Sequence, residues 1–233
     1  AKAFKFIVDD IETNMSHVNF KEVASSSAAY ALKDAYDAAV IATMFSGVSS
    51  SSPDHVLGAD NATDLGAGVY DGTGNIDLGI SGETDPLDLM ARMARLLDQQ
   101  QVDKDGRWLV VDPVFMELLA DEDSRLLNND YRNKGDLEGG LTVGNLHGFD
   151  VYVSSNLPSV GTGSATSGDA NQNSNFGVIV AGHDSAVATA EQINKTETYR
   201  DPDSFADIVR GMHLYGRKIL RPEAICTAKY NAA

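Results

Sequence analysis

Apolar residues alternate with other residues at the start of the chain, where Phe4, Phe6 and Val8 occupy every second position. This spacing predicts a short β-strand with at least one covered face. From there to Ser46 the chain contains neither Gly nor Pro, and apolar residues recur at the three-and-four spacing of a helix. The pattern predicts one helix from about residue 16 to residue 46, which Gly47 would end.

The length of this predicted helix is its most informative property. About 30 residues at 1.5 Å each span roughly 45 Å, whereas an average helix has about 10 to 14 residues. A compact globule of this chain's length would have a diameter of about 45 Å. The helix would therefore cross the whole molecule, and its many alanines would let other elements pack closely against it. A coiled-coil or bundle helix is the alternative interpretation.

The middle of the chain predicts a mixture of helices and strands. Residues 47–84 are rich in Ser and Gly, which indicates irregular, solvent-facing structure. Asp85 and the proline that follows it predict the start of a second helix. Residues 108–111 form an apolar run typical of a buried strand, and Asp112 with its following proline predicts a third helix. Helix, strand and helix within about 35 residues favour an α/β core over a helical bundle.

The last third of the chain is predicted to be rich in strands. Alternation at residues 149–153 indicates one strand, and residues 159–175 form a long polar stretch, which is either mobile or ordered by a neighbouring chain. Further strands are predicted at 176–181, around 187–193 and, as one or two strands, over 212–229. Pro222 would mark an edge or a break in the last of these.

Composition limits the possible functions. A hydrophobic fraction of 42% and a charged fraction of 22% are typical of a folded soluble protein. The net charge of −16 argues against a surface that binds nucleic-acid phosphates. No stretch predicts a membrane span or a signal peptide, and the single cysteine, Cys226, cannot form an internal disulfide. The first residue is Ala1 within an apolar alternation, so we expect that the gene begins upstream of it.

No motif predicts catalysis, a cofactor or a metal ion. The glycine pairs at 66/68 and 72/74 lack the third glycine and the following helix of a phosphate-binding loop. Residues 71–77 place oxygen ligands at alternate positions, but Ile76 and Gly82 stand where a calcium loop needs Gly and Glu. The five histidines fall singly, and no nucleophile elbow is present. An active site assembled from distant residues remains an alternative.

Four segments carry a resemblance to a known family. The stretch from Glu197 to Tyr230 contains Arg-Asp-Pro at 200–202, Phe-Ala-Asp at 205–207 and Arg-Pro-Glu-Ala at 221–224. It resembles the C-terminal segment of major capsid proteins of tailed double-stranded-DNA bacteriophages. Three further stretches are similar to the same family in order and spacing: Phe-Lys-Phe-Ile-Val-Asp-Asp-Ile at 4–11, Arg-Trp-Leu-Val-Val-Asp-Pro at 107–113 and Gly-Phe-Asp-Val-Tyr-Val-Ser-Ser-Asn-Leu-Pro at 148–158. The resemblance implies that an N-terminal arm and the first half of the family's extended loop would precede Ala1, and we expect both to be missing from this chain.

The resemblance implies an α+β protein with the Hong-Kong-phage-type capsid fold. Residues 1–9 would end the extended loop. Residues 10–79 and 191–233 would form a peripheral domain of long antiparallel strands with the spine helix at about 16–46. Residues 80–190 would form a central axial α/β domain.

The resemblance also implies a structural protein of the virion capsid and not an enzyme, without cofactor or metal. Copies would assemble in the bacterial host cytoplasm into hexamers and pentamers of an icosahedral shell. The shell would enclose the phage's double-stranded DNA without binding it specifically, and no membrane would be involved. Scaffolding and portal proteins are the expected partners, and a decoration protein is a further candidate. The alternatives are the shell protein of a cellular nanocompartment and an acidic soluble enzyme with a dispersed site.

A turn near the C-terminus carries charges of both signs and is the candidate interface. Its members, which would form ion pairs between subunits, are Arg200, Asp201, Asp203, Asp207 and Arg210. The alternative is a solvated loop whose ion pairs contribute little to stability.

Overall fold

The structure is a computed structural model that describes residues 2–9, 20–51, 56–57, 76–78, 85–119, 145–158, 176–202 and 205–232. Its helices are α1 (Phe20–Ser51), α2 (Pro86–Gln99) and α3 (Pro113–Leu119). Its strands are β1 (Lys2–Asp9), β2 (Val56–Leu57), β3 (Ile76–Leu78), β4 (Arg107–Val111), β5 (Asn145–Leu146), β6 (Phe149–Val153), β7 (Phe176–His183), β8 (Val187–Arg200), β9 (Ala206–Ile219) and β10 (Ile225–Ala232). A 3-10 turn at Pro222–Ala224 separates β9 from β10, which is the break that Pro222 predicted.

The long predicted helix is present as α1, which has 32 residues and is therefore about 48 Å long. Residues 10–19, which include the predicted start, lie outside the described residues. The predicted end at Ser46 is wrong, because α1 continues to Ser51. Gly47 serves a different purpose from a helix stop, since a Cβ there would lie 2.0 Å from Cδ1 of Ile219. The glycine allows the end of β9 to approach the helix closely.

A three-stranded sheet has the order β1-β9-β8. β1 and β9 are antiparallel, with Phe4 opposite Gly211 and Lys5 opposite Arg210. Only residues 201–205 connect β8 to β9, and so short a connection requires these neighbours to be antiparallel as well. The ring of Tyr36 in α1 packs edge-on against Tyr215 of β9, with 4.9 Å between the ring centroids.

The second sheet is mixed and carries most of the buried core. Its order is β2-β10-β7-β4-β6-β5, and β3 also pairs with β10. β7 is antiparallel to both β4 and β10, whereas β4 and β6 are parallel. The buried residues of α2 belong to this core: Leu89, Met90, Met93, Leu96 and Leu97.

Both short helices begin at the predicted residues. The carboxylate of Asp85 accepts a hydrogen bond from the backbone N–H of Leu87 at 2.9 Å. In the same way, the carboxylate of Asp112 accepts from the N–H of Phe115 at 3.0 Å. Each carboxylate satisfies an N–H group that the first helical turn leaves without a partner.

The chain divides into two compact units, and the division falls within α1. The first unit contains residues 1–40 and 188–218, and the second contains residues 41–187 and 219–233. Residues 41–79 and 219–233, which we expected in the peripheral domain, thus fall in the second unit. The physical reason is strand pairing, because β10 pairs with β7, and both β2 and β3 pair with β10.

Candidate subunit-contact surface

The predicted charged turn connects the two long strands of the first unit. Arg200 ends β8, and its Nη1 atom lies 3.8 Å from Oδ1 of Asp207. The backbone N–H of Asp201 donates to the carbonyl oxygen of Ala206 at 3.0 Å and closes the turn. Asp203 lies outside the described residues. The ion pair is long and partly solvated, so its contribution to the stability of the single chain is small.

Arg210 does not join the ion pair of Arg200 and Asp207. Its Nη2 and Nε atoms instead donate to Oε2 of Glu197, at 2.7 and 3.2 Å. Nζ of Lys195 lies 2.5 Å from Oε1 of the same carboxylate. Arg210 is three residues beyond Asp207 on β9, and successive side chains of a strand point to opposite faces. The predicted cluster is therefore divided between the two faces of the sheet.

Sequence reasoning missed Lys195 and Glu197. Neither residue belongs to the charged turn. Both are far from Arg210 in the sequence, which therefore does not show that the three side chains are close in space. The sequence signal that could have identified them is the prediction of a hairpin, in which β8 and β9 pair on either side of the turn. Glu197 and Arg210 are equally distant from the centre of the turn, and residues in such positions face each other across an antiparallel pair.

The face that carries Arg210 contains a groove of about 630 Å³, which we call the sheet groove. Side chains from all three strands line it, including Lys5, Lys195, Glu197, Tyr199, Arg210 and Met212. The guanidinium carbon of Arg210 lies 5.1 Å from the centre of the Tyr199 ring, within the range of a cation–π contact. The groove thus combines apolar surface with three cations and one carboxylate, although the chain as a whole carries a net charge of −16.

The two cations change the acidity of the carboxyl between them. Hydrogen bonds from Lys195 and Arg210 lower the pKa of Glu197 from 4.5 to about 2. The same carboxylate raises the pKa of Arg210. All three side chains are solvated, so salt should weaken these effects.

We expect the carboxyl of Glu197 to titrate near pH 2 in the folded chain. Because its folded-state pKa lies below 4.5, this group's contribution to stability is present above pH 4.5 and is lost as the pH falls toward 2. A carboxyl NMR titration measures this directly. In Arg210→Met the pKa should move toward 4.5, and an equal pKa in both proteins would contradict the assigned contacts.

Within the described ranges, no group of three or more His, Cys, Asp or Glu side chains could hold a metal ion. None of the described helices is long and apolar enough to cross a membrane. Cys226 is fully buried in β10, and burial raises the pKa of its thiol, so it is a packing residue.

Comparison with known proteins shows what the chain is similar to. A family model described as phage capsid protein matches residues 1–228. A solved structure described as Mycobacterium phage Che8 is 25% identical, with a TM-score of 0.68, and the match covers 97% of this chain and 69% of that one. The capsid structure of cyanophage P-SCSP1u has the same TM-score at 19% identity, with coverage of 100% and 72%.

A third structure extends the same similarity. The asymmetric unit of the bacteriophage PhiM1 mature capsid is 20% identical, with a TM-score of 0.60 and coverage of 98% of this chain and 70% of that one. Among proteins with curated descriptions, none matches the chain significantly. The similarity to capsid structures confirms the α+β Hong-Kong-phage-type capsid fold that the sequence predicted.

Proposed function

This chain belongs to the phage capsid protein family, and we propose that its copies form hexamers and pentamers of an icosahedral shell around double-stranded DNA. The protein is a major capsid protein, and its role in the virion is structural. The observation that carries the proposal is the family match over residues 1–228. Neither a nanocompartment shell nor an acidic enzyme is favoured over a phage capsid.

We infer that the first unit is the peripheral domain and the second unit the axial domain. The first unit holds all but one residue of each of two 14-residue strands and most of the long helix, as a peripheral domain with a spine helix requires. The second unit holds the mixed sheet with its two short helices. Residues 1–9 would be the end of the extended loop, and residues 2–9 among them pair with β9 as its outer neighbour.

Exposed apolar side chains in the first unit support self-association. Ile7, Val23, Tyr30 and Phe205 are 56 to 80% exposed, although such side chains favour burial. Among the described strands, none pairs with the outer edge of β1 or β8, so backbone groups are available at these sheet edges. A single copy therefore exposes apolar side chains and sheet edges, and contacts with further copies would cover them.

Several partners follow from the proposal. The net charge of −16 suits a shell that encloses DNA without binding it specifically, because strong binding needs clustered cations. Scaffolding and portal proteins would direct assembly in the cytoplasm of the bacterial host, and a decoration protein is a further candidate. We propose no enzymatic activity for the chain.

Sedimentation velocity of the purified chain tests the proposed function. Assembly into closed shells should give a narrow, fast-sedimenting population in exchange with free subunits or capsomers. A single slow species of 24.8 kDa at every protein concentration and salt condition would contradict shell formation.

We propose that Arg200, Asp201, Asp203, Asp207 and Arg210 contact a neighbouring subunit. In that case Arg200→Glu should lower the yield of assembled particles by about tenfold or more, because like charges opposed across an interface cost several kcal/mol. Sedimentation of assembly reactions at matched protein concentration measures the yield.

The double variant Arg200→Glu/Asp207→Arg is the control, because it restores an ion pair within the chain. The interface role predicts that the double variant still assembles poorly, since the partner would still meet reversed charges. Full recovery of assembly in the double variant would show that the two residues interact only within one chain, which would refute the interface role. Normal assembly of Arg200→Glu would refute it as well.

A further inference from the structure

The outer face of α1 carries a stripe of exposed side chains. Tyr30 is 74% exposed and Val23 is 56% exposed, and they are seven positions apart, which corresponds to two helical turns. Asp34 follows Tyr30 by four residues, so all three lie on one face of the helix. We call Val23, Tyr30 and Asp34 the helix stripe. The opposite face holds partly buried side chains such as Leu32 and Tyr36.

The helix and the sheet groove lie on opposite faces of the three-stranded sheet. The ring of Tyr36 in α1 packs against the rings of His213 and Tyr215 in β9, so these two side chains point toward the helix. Arg210 and Met212 occupy the alternate positions of the same strand. Arg210 and Met212 therefore point away from α1, and both line the groove. Because the sheet separates the two surfaces, one copy cannot place its own helix stripe in its own groove.

We propose that the helix stripe of one copy docks in the sheet groove of a second copy, with Tyr30 as the anchor. This inference rests on the proposed function, since it names the surfaces by which copies meet. The groove crosses three strands and is therefore about 10 Å wide, which accommodates one aromatic side chain. Inside it, Tyr199 and Met212 are 38% and 41% exposed and offer apolar contact to the Tyr30 ring.

Charge makes the two surfaces complementary. The groove lining carries Lys5, Lys195 and Arg210 against a single carboxylate. Residues 20–40 of the helix carry three carboxylates and two lysines. Docking would bring Asp34 toward a locally positive surface in an otherwise acidic protein, and such complementarity sets the register and speeds association. An exposed tyrosine that enters a pocket is also a common source of binding energy.

The proposed contact has a definite symmetry consequence. It joins two different surfaces, so it is heterologous. After the first contact one copy still has a free groove and the other still has a free stripe. Repetition of such a contact closes into a ring when the rotation between copies permits it. Hexamers and pentamers are rings of this type, whereas a contact between identical surfaces would stop at a dimer.

Cross-linking with a short bismaleimide tests the contact on assembled particles of the full chain. The double variant Tyr30→Cys/Met212→Cys should give a ladder of covalent dimers, trimers and higher species on a denaturing gel. Each single variant alone should give no cross-linked species, and a mixture of the two should give dimers only. Cys226 does not interfere, because it is fully buried. A control, Tyr30→Cys/Lys104→Cys, pairs the helix stripe with a side chain that is 78% exposed in the second unit.

Each other outcome contradicts the inference in a recognisable way. Particles without a ladder would refute the contact and leave the proposed function intact. Cross-linking of Tyr30→Cys alone would indicate contact between identical surfaces, and an equal ladder in the Lys104 control would indicate unspecific linking. If the unmodified chain forms no particles, the proposed function fails together with this inference. As a second measurement, Tyr30→Ser should lower particle yield about tenfold or more, and an unchanged yield would refute the anchor.

Discussion

Replacement of Tyr230 by alanine should lower the free energy of unfolding by roughly 3 to 5 kcal/mol, the usual effect of removing a buried aromatic ring. Tyr230 lies in β10 with no exposed surface. Its ring packs edge-on against Phe115, with 5.5 Å between centroids, and its hydroxyl donates a hydrogen bond to Oδ1 of Asp112. The substitution would leave a cavity and would also remove a donor from a largely buried carboxylate.

Tyr230→Phe is the matched control, because it removes only the hydroxyl. It should cost about 1 to 2 kcal/mol, the typical effect of leaving one buried hydrogen-bonding group without its partner. Burial raises the pKa of Asp112, and the bond from Tyr230 acts against that shift, so the carboxyl should become still harder to ionise in Tyr230→Phe. Urea unfolding followed by the fluorescence of Trp108 measures both variants. Equal losses for Ala and Phe would contradict the packing role of the ring.

Arg107→Ala should cost about 3 kcal/mol, because Arg107 is 3% exposed and its guanidinium satisfies several acceptors at once. Nη2 lies 2.7 Å from Oδ1 of Asp98 and 2.5 Å from the carbonyl oxygen of Val102. Nε donates to the carbonyl oxygen of Asp103 at 2.7 Å. The side chain thus holds the end of α2 and the turn after it against the first residue of β4.

Lys104 provides a control on the same carboxylate. Its Nζ atom lies 3.8 Å from Oδ2 of Asp98, but its side chain is 78% exposed. Lys104→Ala should therefore change the stability by less than about 0.5 kcal/mol, as expected for a solvated ion pair. The same urea titration compares the two variants. Similar losses of unfolding free energy in Arg107→Ala and Lys104→Ala would show that burial of the guanidinium does not determine how much Arg107 contributes to stability.

The elements that the sequence predicted best are those whose signals are local. The long helix follows from an uninterrupted helical period, and the starts of α2 and α3 follow from Asp-Pro pairs whose carboxylates cap them. The end of α1 was predicted wrongly because Gly47 serves a close contact with Ile219, which is 172 positions away in the chain. Nothing near Gly47 in the sequence distinguishes a packing glycine from a helix stop.

The second sheet could be predicted only in part, for a different reason. β2 and β3 have two and three residues, which is too short for any periodicity to be visible. Their pairing with β10 depends on residues about 150 or more positions away. This pairing places residues 219–233 in the second unit.

The candidate contact surface was predicted by its charges but not by its geometry. Clustering along the chain correctly indicated a charged turn, but strand alternation divides its members between two faces. The sheet groove is lined by three strands, and β1 is far from β8 and β9 in the sequence. The groove therefore forms only when the three strands pair in the folded chain.

Cryo-electron microscopy of the assembled protein is the direct test of shell formation. We expect uniform closed particles of icosahedral symmetry, built from rings of five and six copies of this chain. Each copy should contain the long helix α1 and the three-stranded sheet, with neighbouring copies in contact through their first units. Monomers or irregular aggregates at every protein concentration and salt condition would contradict the proposed shell.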